Sequence, residues 1–129
     1  MILLDTHVLI WVNEASSRLS KTADSAIRRA QRNGGLAVSA ITLWELAFLF
    51  AKGKVHAHGT IETSVRLLIE DISVRPITAE IAALAAEFPG DYSNDPSDRI
   101  IGATARAEGL TLITRDEKIR RSPLLKTLW

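Results

Sequence analysis

The sequence predicts a three-layer α/β/α domain with a central, mainly parallel β-sheet. Short apolar runs alternate along the chain with longer segments of helical periodicity, which is typical of a parallel sheet covered by helices on both faces. The first run, Met1–Leu4, is apolar at every position, as expected of a strand buried on both sides. A length of 129 residues fits one compact domain, so we expect a single domain over residues 1–129.

Each element is predicted from its own local pattern. Strands are expected at the runs Met1–Leu4, Leu36–Ser39, Ile72–Arg75 and Leu110–Thr114. Helices are expected at Val8–Val12, Lys21–Arg32, Ile41–Ala51, Thr60–Asp71, from a Thr78 cap to Phe88, and at Ser97–Glu108, with Ser39 as a further cap and with Asn33-Gly34-Gly35 and Gly109 as stop signals. The tail Ser122–Trp129 contains Pro123, so a final strand there is either an edge strand or absent.

The composition excludes several classes of protein. With 47% hydrophobic and 24% charged residues, the chain has the make-up of an ordinary globular protein. It has no cysteine, which excludes disulfides, thiolate zinc sites and cysteine nucleophiles. No stretch approaches the roughly 20 uncharged apolar residues of a membrane span, and the N-terminus lacks the basic leader of a signal peptide. We therefore expect a cytoplasmic protein with no membrane contact.

The charge distribution allows a polyanionic substrate. The net charge is only +1, yet basic residues dominate two stretches, Arg18–Arg32 and Arg115–Lys126. Solvated helix faces explain most clusters of this kind. Two basic stretches on either side of an acidic site would nevertheless suit a nucleic acid.

Two carboxylates follow predicted strands directly. Asp5 comes after the first apolar run, and Asp116 lies two residues beyond the last one. Ligands of open parallel sheets bind outside the carboxyl ends of the strands. Carboxylates beside buried strands are costly unless a cation or a metal ion pairs with them, so both acids are candidate site residues.

Glu45 stands in an almost wholly apolar predicted helix. Such surroundings favour a partly buried carboxylate, with Trp44, Phe48 and Ala51 facing inward and Glu45 at the margin of the buried surface. The alternative is an exposed glutamate on a one-sided helix.

The segment Asp95-Pro96-Ser97-Asp98 has two explanations. Asp95 is a natural N-cap, Pro96 suits the first helical position, and Asp98 in the first turn is favoured by the helix dipole. Capping alone would explain both acids. The first turn of a helix can also aim a carboxylate into a crevice, so the segment by itself does not decide.

Four acids at one sheet edge would not all stay ionised without a counter-ion. Mg²⁺ or Mn²⁺ meets that need, because hard cations take oxygen ligands. Such an ion can activate a water molecule and stabilise charge on a phosphodiester. The sequence offers no Ser-His or Cys-His arrangement, so metal-activated water is the expected nucleophile.

Four segments, taken together, resemble the PIN domains of the VapC toxin family. They are Met1–Trp11, with its strand and first acid, Ser39–Leu46, Asp95–Ala105 and Leu112–Asp116. Their order, spacing and strand-or-helix context all agree with the family, and the similarity covers essentially the whole chain.

The resemblance implies a fold, an activity and a set of site residues. Asp5, Glu45, Asp98 and Asp116 match the family's acidic quartet around Mg²⁺ or Mn²⁺. Asp5 and Asp98 are the expected direct ligands, while Glu45 and Asp116 bind metal or position water. The implied function is endonucleolytic cleavage of RNA, with inhibition by a VapB-type antitoxin, and homodimers are typical of the family.

Several further residues are weaker candidates. Thr114 matches a hydroxyl near the family's site, Thr6 is placed to hydrogen-bond the carboxylates, and Asp95 is expected mainly as a helix cap. Arg99 and Arg115 are candidate phosphate contacts, although solvent exposure is the default for each. We expect His7 to be structural or to line the rim. His56 and His58 are expected in a loop rather than in a second metal site, Trp11 and Trp44 as core or interface residues, and Trp129 as a terminal packing residue.

Rival classes fail on particular residues. A receiver domain would carry adjacent acids after the first strand, but Thr6 and His7 follow Asp5. A haloacid-dehalogenase-type phosphatase would have an aspartate where His7 stands. A non-catalytic module of the same fold, or a nuclease acting on DNA, stays open as an alternative, although all four acids are present.

Overall fold

The computed structural model describes every residue from Met1 to Trp129. Its centre is a five-stranded sheet in which all neighbouring strands are parallel, in the order β3-β2-β1-β4-β5. The strands are β1 (Ile2–Leu4), β2 (Leu36–Ser39), β3 (Ile72–Arg75), β4 (Thr111–Ile113) and β5 (Thr127–Leu128). The helices are α1 (Thr6–Asn13), α2 (Lys21–Arg32), α3 (Ala40–Ala51), α4 (Ile61–Leu68), α5 (Ala79–Glu87), α6 (Pro96–Glu108) and α7 (Glu117–Arg120).

The sheet is buried on both faces, which confirms the three-layer prediction. Leu3 and Leu4 are adjacent in β1 and both are fully buried, but they belong to different apolar clusters. Leu4 packs with residues of α1, α2 and α3, and Leu3 with residues of α5 and α6. Successive strand residues point to opposite faces, so a strand covered twice must be apolar throughout.

Local capping sets most element boundaries. Ser39, Thr78 and Asp95 each accept a hydrogen bond from the backbone at the start of the following helix. Gly109 ends α6 in the left-handed conformation, with φ of 66°. These stop and start signals explain why the predicted and observed bounds agree for α2, β2 and β3.

Some boundaries differ from the prediction. Helix α1 begins at Thr6, earlier than expected, because Asp5 caps it. Thr60 caps α4 instead of belonging to it, and that helix ends at Leu68 rather than Asp71. The tail does form a strand, the edge strand β5, which pairs with β4 alone. Helix α7, only four residues long, was not predicted.

The expected orientation of α3 is wrong. Trp44 and Phe48 are 60% and 45% exposed, and Ala51 is also exposed. The buried face consists of Thr42, Leu46 and Phe50. Nearly every position of α3 is apolar, so hydrophobic periodicity could not select a face. Trp44 is therefore not a core residue. None of the helices is long and apolar enough to cross a membrane.

Candidate active site

One cavity at the carboxyl edge of the sheet gathers the acids. It has a volume of about 280 Å³. Its lining consists of Asp5, His7, Val8, Trp11, Glu45, Asp95, Asp98, Arg115 and Asp116. The acids come from the ends of β1 and β4, from α3 and from the start of α6, so the fold brings together segments that are far apart in sequence.

Asp5 is held at the centre of the sheet by both of its carboxylate oxygens. Oδ1 accepts a hydrogen bond from the Thr6 backbone N–H (2.9 Å), and Oδ2 accepts one from the Thr114 hydroxyl (2.8 Å). The backbone N–H of Asp5 donates to the Ile113 carbonyl on the neighbouring strand (3.1 Å). These three bonds fix the position of the carboxylate at the junction of β1 and β4.

Two threonine hydroxyls orient Glu45 toward the cavity. Thr6 donates to Oε1 of Glu45 (2.5 Å), and the Thr6 and Thr42 hydroxyl oxygens are 3.0 Å apart. A hydroxyl has one proton to give, so Thr42 is the donor to Thr6. These two hydrogen bonds hold the Thr42 face of α3 against α1 and leave Glu45 partly exposed beside Asp5.

Asp98 combines a capping position with a place in the cavity. Its backbone N–H donates to Oδ1 of Asp95 (3.1 Å), which is the N-cap of α6. Its own carboxylate accepts a hydrogen bond from the Ser93 hydroxyl at Oδ2 (2.7 Å). Both explanations of this segment therefore hold: Asp95 caps the helix, and the first turn presents Asp98 to the cavity.

Asp116 lies at the mouth of the cavity and is exposed. It caps α7 by accepting a hydrogen bond from the Ile119 N–H (3.0 Å) at Oδ1, and its own N–H donates to the Thr114 hydroxyl (3.2 Å). Thr114, which is fully buried, thus contacts both Asp5 and Asp116.

Burial and mutual repulsion disfavour the ionised acids. Burial raises the pKa of Asp5, although its hydrogen bonds from Thr114 and Thr6 oppose the change. Burial also raises the pKa of Glu45, and Asp5, Asp95 and Asp98 add to the effect. The pKa of Asp98 rises to about 6, mainly through burial and further through Asp5, Asp95 and Asp116. Arg115 is the one permanently charged cation in the cavity lining, and a single positive charge does not compensate four ionised carboxylates.

The donor atoms suit a hard divalent cation. As the side chains stand, no group of three or more acidic or histidine side chains is spaced to enclose one metal ion. The donors themselves are nevertheless carboxylate oxygens, which Mg²⁺ and Mn²⁺ prefer. Glu45, Asp98 and Asp116 each keep one carboxylate oxygen that accepts no hydrogen bond from the protein. Those free oxygens, together with Asp5, fit such an ion.

Comparison with known proteins places the chain in a family. The family model of the PIN domain matches residues 2–123 of this sequence. The chain belongs to the PIN-domain family. It is 36% identical to Ribonuclease VapC22 of Mycobacterium tuberculosis over 130 residues, 99% of this chain and 98% of that protein. This confirms the resemblance to the VapC group, whose nucleases generally depend on a divalent metal.

Solved structures show the same PIN fold at lower identity. VapBC2 from Rickettsia felis, bound to a DNA fragment from its promoter, matches with a TM-score of 0.74 and 20% identity, covering 99% of this chain and 98% of that one. DNA-bound VapBC from Salmonella typhimurium matches with a TM-score of 0.74 and 19% identity over the same shares. VapC20 of Mycobacterium tuberculosis, a toxin that cleaves the sarcin-ricin loop, matches with a TM-score of 0.62 and 18% identity over 92% of both chains.

Histidines of this PIN domain lie outside the acidic cluster or at its edge. His7 is exposed and lines the cavity, and its ring centroid is 6.2 Å from that of Trp11. His56 and His58 lie in the loop after α3, with ring centroids 5.1 Å apart, and line a separate cavity of about 250 Å³. No third ligand joins them.

The two candidate arginines have different surroundings. Arg115 lines the acidic cavity. The guanidinium of Arg99 instead donates to the carbonyls of Ala85 (3.0 Å), Phe88 (2.7 Å) and Pro89 (3.1 Å) at the end of α5. Those bonds favour a structural role for Arg99 over a contact with nucleic acid, contrary to its candidacy as a phosphate contact.

Three supporting residues of the PIN-domain site were not predicted from the sequence. Ser93 holds Asp98, Thr42 holds Thr6, and Tyr92 lies beneath Asp98, with its hydroxyl 3.5 Å from the Asp98 carbonyl. A hydroxyl residue two positions before a helix N-cap is the one local signal for Ser93, whose Oγ accepts from the Asp95 N–H (3.1 Å). Thr42 and Tyr92 have no such signal.

Proposed function

We propose that this PIN-domain protein is a metal-dependent endoribonuclease that hydrolyses RNA phosphodiesters and acts as the toxin of a type II toxin–antitoxin pair. The observation that carries the proposal is the meeting of four carboxylates from separate segments in one cavity. RNA is the proposed substrate because a relative that matches nearly the whole chain is named a ribonuclease.

Mg²⁺ is the proposed cofactor, and Mn²⁺ is the alternative. Asp5 and Asp98 are the proposed direct ligands, with Glu45 and Asp116 as further ligands or as groups that position water. When bound, the divalent ion supplies positive charge and Lewis acidity toward the phosphodiester and the attacking water.

The protein's own groups prepare this chemistry. Thr114 and the Thr6 N–H hydrogen-bond the carboxylate of Asp5, which opposes its protonation. The Thr6 hydroxyl does the same for Glu45. Asp116 is exposed, and its Oδ2 accepts no protein hydrogen bond, so it is free to orient a water molecule and take its proton.

The proposed partners follow from the relatives. Solved structures of this fold include a toxin-antitoxin complex and a member of the VapBC family of toxin-antitoxin systems. We propose a VapB-type antitoxin as inhibitor, a homodimer as the assembly, one PIN domain over residues 1–129, and a cytoplasmic location where RNA is available.

The test is cleavage of a structured RNA pool, with and without Mg²⁺. Wild type should cut the RNA only with the metal ion, Asp98→Asn should lose most activity, and Asp91→Asn should keep it. Asp91 is the matched control because it is an exposed aspartate outside the acidic cavity. Cleavage of DNA but not RNA would indicate a DNA nuclease, and cleavage of neither would indicate a non-catalytic module.

A cellular test addresses the toxin role. Expression without antitoxin should arrest growth, and Asp5→Ala should relieve the arrest. Continued toxicity of correctly folded Asp5→Ala protein would contradict the metal site.

A further inference from the structure

Beside the acidic cavity, two arginines share one aromatic ring. The guanidinium carbons of Arg18 and Arg115 each lie 5.9 Å from the ring centroid of Trp11. Trp11 and Arg115 also line the cavity that contains the four acids. The two cations therefore stand at the edge of the candidate active site, although Arg18 and Arg115 are 97 positions apart in sequence.

The Trp11 ring is a fixed support. Its residue is only 8% exposed and belongs to the apolar cluster on the α1 side of the sheet. Trp129 packs against it edge-on, with ring centroids 5.9 Å apart. A ring buried to this extent offers little surface for stacking a base. It can, however, hold guanidinium groups through cation–π attraction and so reduce the entropy they lose when they bind a ligand.

Neither guanidinium has a partner within the protein. No hydrogen bond or ion pair involves the side chain of Arg18 or of Arg115. Arg115 forms none even with Asp116, its neighbour in sequence. Six other arginines are occupied: Arg28, Arg66, Arg75 and Arg121 pair with acids, and Arg99 and Arg106 donate to carbonyls. Arg29, Arg32 and Arg120 are also unpaired, but none of them lies over an aromatic ring. The guanidinium groups of Arg18 and Arg115 thus keep their hydrogen-bond donors free while the Trp11 ring holds them in position.

An acidic cavity alone would repel a nucleic acid. Fixed cations at its edge attract the phosphates on either side of the bond to be cut, and the planar guanidinium matches the phosphate group with two parallel hydrogen bonds. We propose that Arg18 and Arg115, supported by Trp11, form a subsite that binds the RNA backbone next to the scissile phosphodiester. This inference rests on the proposed ribonuclease function.

The experiment measures binding and cleavage separately. Binding of a fluorescent single-stranded RNA is titrated in EDTA over a series of salt concentrations for wild type, Arg18→Gln, Arg115→Gln and Arg29→Gln. Arg29 is the matched control, because it is exposed and unpaired in the same basic stretch as Arg18 but does not contact Trp11. Thermal melting verifies that each variant is folded.

The subsite predicts a defined pattern. Arg18→Gln and Arg115→Gln should each weaken RNA binding about five- to tenfold at low salt and reduce the salt slope by about one, irrespective of RNA sequence. Arg29→Gln should match wild type. With Mg²⁺, Arg18→Gln should raise KM for RNA more than it lowers kcat, while Arg29→Gln should leave both at their wild-type values.

Failure of the subsite and failure of the ribonuclease function are distinguishable. If wild type cleaves RNA but both arginine variants bind it as wild type does, the subsite is wrong and the function stands. If wild type cleaves no RNA, the function fails. If the variants lose affinity for a polyglutamate peptide and not for RNA, the arginines serve an acidic protein partner and the proposal is overturned.

Discussion

The hydroxyl of Thr114 donates a hydrogen bond to Oδ2 of Asp5 across 109 positions of the chain, at 2.8 Å. The same hydroxyl accepts a hydrogen bond from the N–H of Asp116. One fully buried side chain therefore sets the positions of two acids that follow two neighbouring strands, β1 and β4. The geometry of the site depends on this residue as much as on the acids themselves.

Replacing Thr114 by Val should reduce RNA cleavage about tenfold or more. The variant keeps the shape of the side chain but removes a hydrogen bond to a charged group, worth about 1.5–3 kcal/mol. This bond lowers the pKa of Asp5, so the acid limb of the pH–rate profile should move to higher pH. Thr114→Ser, which keeps the hydroxyl, should retain most activity. A wild-type rate and pH profile for Thr114→Val would contradict the role assigned to the hydroxyl.

The site acids should make the metal-free protein more stable in mild acid than at neutral pH. The pKa of Asp98 is about 6 in the folded protein against 3.8 in the unfolded chain, and those of Asp5 and Glu45 are also raised. The folded state binds protons more tightly, so the stabilisation is complete below 3.8 and is lost as pH rises through about 6. Thermal melts in EDTA should show a midpoint a few degrees higher near pH 5 than near pH 7.5.

Asp98→Asn provides the control for that pH dependence. Removing one carboxyl should flatten the curve and make the metal-free variant at least as stable as wild type at neutral pH, because repulsion from Asp5 and Asp116 disappears. Mg²⁺ should stabilise wild type more than the variant. A pH dependence identical in the two proteins would rule out Asp98 as its source.

Gly102→Ala should destabilise the fold by about 1–3 kcal/mol, the range typical of overpacking. A Cβ atom at this position in α6 would overlap the hydroxyl of Tyr92 and lie 3.2 Å from the Phe88 ring. Tyr92 lies beneath Asp98, so RNA cleavage should fall as well. Urea unfolding measures the stability, with Gly90→Ala as control because nothing lies within 4 Å of its added Cβ. Equal stability of the two variants would show that Tyr92 can move aside.

Arg99→Ala should also lower the free energy of unfolding, by about 1–3 kcal/mol, because the carbonyls of Ala85 and Phe88 at the end of α5 lose the guanidinium donor, while that of Pro89 keeps the Tyr92 N–H. Arg99→Lys should rescue it only partly, since an ammonium group cannot reproduce the planar fork of the guanidinium. Chemical denaturation together with RNA titration separates the two roles considered for this residue. Weaker RNA binding at an unchanged free energy of unfolding would show that Arg99 contacts nucleic acid instead of supporting the fold.

Local signals were sufficient for much of the fold. The bounds of α2, β2 and β3 follow from caps, glycines and apolar runs that lie within the elements or next to them. The same signals failed at α7, whose four residues carry too little periodicity, and at the inward face of α3, where almost every position is apolar. A pattern locates an element well when the information is confined to a few neighbouring residues.

The candidate site divides in the same way. The positions of Asp5 and Asp116 after their strands follow from the sequence, because strand ends are locally encoded and parallel strands end at one edge. Tertiary structure alone decided that Thr114 joins these two acids, that the Thr42–Thr6 pair turns Glu45 toward them, and that Arg18 meets Arg115 over Trp11. Each of these arrangements brings together residues that are more than 30 positions apart. Packing of the whole chain determines such contacts, and no local pattern records them.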